Sequence, residues 1–298
     1  MRHTVSILLM LLIAASALAD DGEVPRRPSN DLYTGLSVTA NAGAFWASDV
    51  NANFYNGRPE NANTIERVLY SNTYGQRIWE NLKNQGLISS AIGNYNNLVV
   101  VEYPNMYYKI SYLIGVGIRY DYASGFGWLL GFDMVRLQAV GAFNLSSNNG
   151  TGILSNNGQY IRCGMLGKED RIQLYAAIAK TVPLSGMLNL ELNLGAQLNN
   201  TRVKDQLMEI GGANYKILDI WGGRSPDYGV GNYEYINQGG IGWGLFMSAW
   251  LGYRVPGIGA IKVGYTCHHA KTVLEGYTAM GWHHSLSVRI EINNFSFI

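Results

Sequence analysis

The sequence predicts an all-β fold: a closed, antiparallel, up-and-down transmembrane β-barrel of about eight strands, with long external loops and a short helix in the first of them. Three observations predict it: an export signal, a polarity pattern of period two, and connections that are alternately short and long.

The export signal comes first. Arg2 is followed by an almost unbroken apolar run from Val5 to Ala14 and by the small-x-small site Ala17-Leu18-Ala19. That run is shorter than the roughly 20 residues a spanning helix needs, and Asp20 and Asp21 follow at once. Residues 1–19 are therefore expected to be a cleaved signal peptide and residues 20–298 a single barrel domain.

No later stretch resembles a membrane helix, although 47% of the chain is hydrophobic. Charged residues are only 14%, against about 25% in typical soluble domains, a poor composition for a water-facing surface. The net charge of +1 and the lack of a basic run exclude nucleic acid as a partner. Two cysteines, Cys163 and Cys267, are too few for a disulfide scaffold; both are assigned to the long-loop side, on opposite sides of the rim, and are expected to stay unbridged.

Alternation is clearest in Leu188 to Asn199, where Leu188, Leu190, Leu192, Leu194, Ala196 and Leu198 interleave with polar residues and glycine. Successive strand side chains face opposite ways, so this segment has one apolar face. Tyr108 to Tyr122 repeats the pattern, as do Leu32 to Ala44, Ile172 to Val182, Ile241 to Val255, Ile258 to Cys267 and Leu286 to Phe295. In Trp128 to Gly141 the apolar parity changes after Met134, and a β-bulge there would turn Asp133, Arg136 and Gln138 to one face.

Short connections near 123–125, 183–186 and 256–257 take turns with long ones near 45–106, 144–170, 200–240 and 268–282. Outer-membrane barrels have this asymmetry of tight periplasmic turns and long external loops. A soluble barrel with its apolar face inward is the alternative; the polar face of Gly, Ser, Asn and Thr suits a crowded interior better than a soluble exterior. Tyr107, Tyr108, Tyr120, Tyr122, Trp128, Trp243 and Tyr253 lie near segment ends, where interfacial girdles belong.

These features resemble the small OmpA/OmpX-like family of eight-stranded outer-membrane barrels, and the long Asn- and Tyr-rich loops are similar to barrels of the Bacteroidetes type. The ending Phe295-Ser296-Phe297-Ile298 looks like the aromatic signal read by the barrel-assembly machinery, with Ile298 in place of the usual Phe. The resemblance implies a bacterial outer-membrane location, with membrane lipid and that machinery as partners. No peptidoglycan-binding domain is recognised.

The expected role is non-enzymatic: structural support or binding of an external or envelope protein through the loops. A narrow channel and a lipid-modifying enzyme are the alternatives. Arg119, Asp121, Asp133, Arg136, Glu191, Lys262, Arg289 and Glu291 share the polar face, and their mixed signs suit a packed interior network better than a selectivity ring. His283, Ser285 and Glu291 are similar to the His/Ser/Glu set of barrel-borne lipid A deacylases. Six residues of strand put Glu291 roughly 20 Å from Ser285, too far to orient His283, so no catalytic residue is assigned.

His268, His269, His283 and His284 flank one hairpin, but neighbours in a strand face opposite ways; no metal site and no cofactor are expected. Gly164 to Lys168 lacks the spacing and the Ser/Thr of a phosphate loop. In the first loop, Ile78, Trp79, Leu82 and Leu87 fall at helical spacing within 74–87, predicting a short amphipathic helix that either caps the mouth or docks a partner. Because closure cost grows only with the logarithm of length, that loop should be removable without loss of strand pairing. Trp79, with Trp221, Arg224, Tyr228 and Tyr233 of the third long loop, forms the candidate binding surface.

Overall fold

The computed structural model describes residues 34–61, 63–72, 74–148, 151–154, 159–218, 239–255, 259–274 and 276–293. The expected signal peptide, the turn at 256–257 and the motif at 295–298 lie outside them. In chain order the strands are β1 (Gly35–Trp46), β2 (Leu98–Glu102), β3 (Tyr107–Tyr108), β4 (Ser111–Asp121), β5 (Phe126–Ser147), β6 (Ile161–Pro183), β7 (Leu188–Ile210), β8 (Ala213–Leu218), β9 (Gly239–Val255), β10 (Gly259–Leu274) and β11 (Tyr277–Ile292). Between β1 and β2 lie the helices α1 (Asp49–Ala52), α2 (Ile65–Leu69) and α3 (Tyr74–Asn84).

Eight strands close a ring. β1 pairs with β4 and β11, β4 with β5, β5 with β6, β6 with β7, β7 with β9, β9 with β10 and β10 with β11, all antiparallel. The register measures the stagger. Partner by partner from Leu36, the path runs through Tyr120, Trp128, Ile178, Leu194, Met247, Cys267 and His284, and returns to β1 at Trp46, ten residues up the strand. At about 3.3 Å per residue and a tilt of about 40°, those ten residues rise roughly 25 Å along the barrel axis. That is about the height of the apolar band of a membrane barrel.

The outward side chains fill that band. Leu194, Ile178, Ile114, Leu245, Val263 and Val288 are all about half exposed or more. Aromatic residues mark its two rims: Tyr120, Tyr122, Phe126 and Tyr253 below; Trp46, Tyr112, Trp243 and Trp282 above. Tyr108, expected in a girdle, instead points inward and is buried.

Above the upper rim β5, β6 and β7 continue, and their polarity inverts. On β5 the outward face changes from Trp128, Leu130, Phe132 and Met134 to Arg136 and Gln138, followed by the small or apolar Val140 and Ala142 and then Asn144. The inward face changes from Gly127, Gly131 and Asp133 to the buried Val135, Leu137, Ala139, Phe143 and Leu145. A strand passing from lipid into water would need this exchange, which moves the apolar face to the inside. The expected bulge near Met134 is therefore absent, and β5 pairs with β6 without interruption from Phe126 to Leu145. A bulge does occur nearby on β7, where Lys204 is the extra residue opposite Lys168 and Glu169.

Much of the sequence assigned to long loops is strand. β5 runs to Ser147, β6 begins at Ile161 and β7 reaches Ile210. β10 and β11 continue to Leu274 and Tyr277, so the loop expected at 268–282 is a hairpin. β2 pairs with β5 and β8 with β7, making a curved sheet above the rim. At the other end, the turn between β4 and β5 is tight, with Gly125 at φ 76° in the left-handed region.

If the outward face lies in lipid, Leu194→Arg should destabilise the barrel by about 2–4 kcal/mol, because it places a charge near the bilayer midplane. Urea unfolding in lipid vesicles measures this. A change below about 0.5 kcal/mol, ordinary for an exposed site in water, would contradict a lipid-facing assignment.

Candidate functional site

The interior has two layers. The lower one centres on Glu191, fully buried on β7, whose carboxylate meets Arg119 at 2.5 Å, Lys262 at 2.5 Å and Arg289 at 3.1 Å. Arg119 also binds Asp121 at 2.6 Å and Thr181 at 2.9 Å; Lys262 reaches Glu291 at 2.5 Å; and the Arg289 guanidinium lies 3.9 Å from the Trp250 ring centre. Asp133 accepts from Asn41 at 2.8 Å. Each cation has a carboxylate, the arrangement that makes buried charge tolerable.

Arg136 is the exception among the residues expected in this network. The unbroken parity of β5 turns it outward, where its side chain is 81% exposed and pairs with Asp170 at 3.0 Å. Lys109 is likewise exposed.

Above this layer Phe246, Tyr175 and Leu129 cross the axis. Between the two sits a cavity of about 20 Å³ lined by Asn41, Asp133, Tyr175, Ser248, His268 and Arg289. That is room for about one water molecule, with polar groups to hold it.

The upper layer is the first loop, seated in the mouth. Ser48 N–H donates to His283 Nδ1 at 3.0 Å, Asn51 to Thr272 at 2.7 Å, Tyr55 O–H to Glu169 at 2.6 Å and Asn63 to Gln206 at 2.7 Å. The loop thus bonds to β6, β7, β10 and β11. The Tyr55 ring occupies the space a Cβ would need at Gly167, so a glycine is required there. Tyr108 and Arg171 join Glu169 at 3.1 and 2.6 Å. Burial first, then the Glu169 carboxylate, raises the Tyr55 and Tyr108 hydroxyls well above their ordinary pKa, so both stay protonated donors.

Around these bonds lies the main apolar core. Thr64 caps α2, which buries Ile65, Val68 and Leu69; α3 buries Ile78 and Leu82. They pack on Leu137, Phe143, Leu145, Met165, Val203 and Met208 of the sheet. The helix expected at 74–87 is α3. Trp79 is half-buried against this core, with the Lys83 ammonium 4.9 Å from its ring centre. Trp221, Arg224, Tyr228 and Tyr233 lie outside the described residues. The loop, expected to be dispensable for strand pairing, supplies about half of the core above the rim.

His283 and Ser285 both face inward, but each His283 nitrogen is engaged by the loop, and Glu291 is committed to Lys262. His269 and His284 face outward, beside Trp282 and Tyr265. Among the described residues no three metal-ligating side chains converge. Both cysteines, expected on the long-loop side, are in strands and free. Cys163 faces the core, and Cys267 faces outward.

This architecture defines a class: a closed eight-stranded antiparallel barrel, filled from wall to wall and stoppered by its own first loop. No family model and no curated protein matches the chain. Two solved structures with which it was aligned are Neisserial surface protein A and Ail, the attachment invasion locus protein of Yersinia pestis. The first aligns at 10% identity over 88% of this chain and 98% of that one, with a TM-score of 0.40. The second aligns at 9% identity over 86% and 99%, with a TM-score of 0.30. The ring follows from this chain's own strand register.

Glu191→Leu should leave the buried Arg289 without a carboxylate and Arg119 and Lys262 with one each, Asp121 and Glu291, and cost about 3–5 kcal/mol in urea unfolding. Arg136→Gln, at an exposed pair, should cost less than about 1 kcal/mol. Equal effects would dissolve the distinction between interior and exterior. For Cys163, burial, reinforced by Glu209, pushes the thiol up to about 12. Below that pH it is a neutral thiol, so maleimide at pH 8 should label it only after unfolding. Rapid labelling of the folded protein at this residue would place it outside the core.

Proposed function

We propose that this chain is a non-conducting, non-enzymatic barrel of the bacterial outer membrane that serves as a rigid base for the sheet and loop structure above the rim. Its work is structural support or the binding of an external or envelope partner. One observation carries this reading: the lumen is closed twice, by the polar layer around Glu191 and by the first loop hydrogen-bonded across the mouth. A selective pore needs a continuous wet path, and charges committed to one another do not line one.

An enzyme of the His/Ser type needs a free base beside its nucleophile, and the basic nitrogen of His283, Nδ1, already accepts from Ser48 N–H. Membrane lipid and the barrel-assembly machinery are the partners such a barrel requires. For an external partner, Trp79, Trp221, Arg224, Tyr228 and Tyr233 are the proposed contacts, on the enrichment of Trp, Tyr and Arg at binding hot spots.

Purified protein in planar bilayers should show no discrete conductance steps; regular steps would overturn the closed-lumen reading. Incubated with phospholipid and lipid A, it should release no fatty acid by mass spectrometry, and deacylated product would overturn the non-enzymatic one.

A further inference from the structure

Within the outward apolar band Lys180, near the lower rim, is the one outward lysine or arginine among the described residues. Immediately above the upper rim, cations are abundant on one side. Arg136 of β5, Asp170 of β6 and Arg202 of β7 form one rung of the sheet. Lys168 and Lys204 follow on the next residues upward. The next outward rung below holds Met134, Ile172 and Asn200, the first two part of the apolar band. Elsewhere the rim carries Trp46, Tyr112, Trp243 and Trp282, with Lys109 and Lys271 as single, separated cations.

Four cations and two carboxylates, Asp170 and Asp205, thus share a patch at the level of the lipid headgroups. Asp170 holds Arg136 at 3.0 Å and Lys204 at 3.1 Å, fixing two cations that would otherwise wander. It engages Arg136 through Nε, and that side chain is 81% exposed, so the terminal guanidinium nitrogens face outward to meet an anion. Lys168 and Arg202 are exposed as well. Asp205, the other nearby carboxylate, lies 3.9 Å from Lys216.

We propose that this patch binds the headgroup of a lipid carrying two phosphates in the outer leaflet. The inference rests on the reading that the apolar band lies in that membrane. Three features favour a membrane lipid over a free anion. The cations are one rung from the band; the strands beneath them offer Phe132, Met134, Leu174 and Leu198 to acyl chains; and the patch is confined to one side of the ring. The distance across three strands, about 10 Å, fits two phosphates better than one. Each lysine or arginine near a membrane surface adds to attraction for anionic headgroups.

The test uses the full-length protein in neutral detergent, with native mass spectrometry reading bound diphosphoryl lipid A, monophosphoryl lipid A and phosphatidylcholine. Diphosphoryl lipid A should bind at least about tenfold more tightly than phosphatidylcholine. The variant with Arg136→Gln, Lys168→Gln, Arg202→Gln and Lys204→Gln should lose at least about tenfold of that affinity, and Lys109→Gln with Lys271→Gln almost none. Arg136→Gln with Lys168→Gln alone, a milder change, should lose an intermediate amount. Equal binding of all three lipids, or a fourfold variant within about twofold of wild type, would overturn the proposal. Displacement of lipid A by an equal concentration of inorganic pyrophosphate would overturn it in favour of a free-anion site. Heat-dependent gel mobility of each variant separates the failures. A shifted, detergent-dependent barrel without lipid preference refutes the headgroup site alone, whereas a protein soluble without detergent refutes the membrane reading beneath it.

Discussion

A backbone immersed in hydrocarbon must find every hydrogen-bond partner within the protein, and a sheet can do that only by closing on itself. The rest of this molecule depends on that constraint. Eight strands with a stagger of ten residues close a ring too narrow to remain empty, and its wall faces lipid with the apolar half of each strand. The polar half is left pointing inward, where water is scarce. Glu191 resolves that difficulty by gathering Arg119, Lys262 and Arg289 around one carboxylate.

Above the rim the constraint reverses, because the exterior is water and the interior is free to be oily. The chain responds without changing its secondary structure. β5, β6 and β7 stay paired, with one bulge at Lys204, while exchanging the polarity of their two faces. On β6 the outward residues pass from Ile178, Leu174 and Ile172 to Asp170 and Lys168, as the inward ones pass from Gln173, Arg171 and Glu169 to Met165, Cys163 and Ile161. An apolar inner face of a curved sheet needs a cover, and the first loop provides it with Phe54, Ile65, Leu69, Ile78 and Leu82. Loop and upper sheet are therefore halves of one core.

The lower half was legible in the sequence because its signal is strict: Leu188 to Leu198 alternates without error, as a strand with one apolar and one polar face requires. Strand number, closure and the helix at Ile78 and Leu82 followed. The upper half was obscured by the polarity exchange. A change of parity at Met134 has two physical causes, an inserted residue or a change of surroundings, and alternation alone does not distinguish them. The same ambiguity hid the extended strands, since Arg162, Lys168, Arg202 and Lys204 read as loop chemistry when the outer face is assumed to be lipid throughout. Arg136 was misplaced for this reason. Parity changes at corresponding heights on β5 and β6 would have been the usable clue; on β7 the bulge at Lys204 returns the inward Met208 and Ile210 to the parity of the outward Leu198. The plug contacts of Tyr55, Asn51 and Asn63 had no local signature, being defined by partners more than one hundred residues away.

The central claim is that the first loop is packed as core and closes the barrel. Residue-resolved hydrogen exchange in lipid nanodiscs tests it most directly. If loop and sheet form one core, the amides of α2 and α3 will exchange slowly, with protection close to that of β5 and β6 above the rim. If they exchange within seconds while those strands stay protected, the loop is a separate, loosely seated element and the account of the upper barrel is wrong.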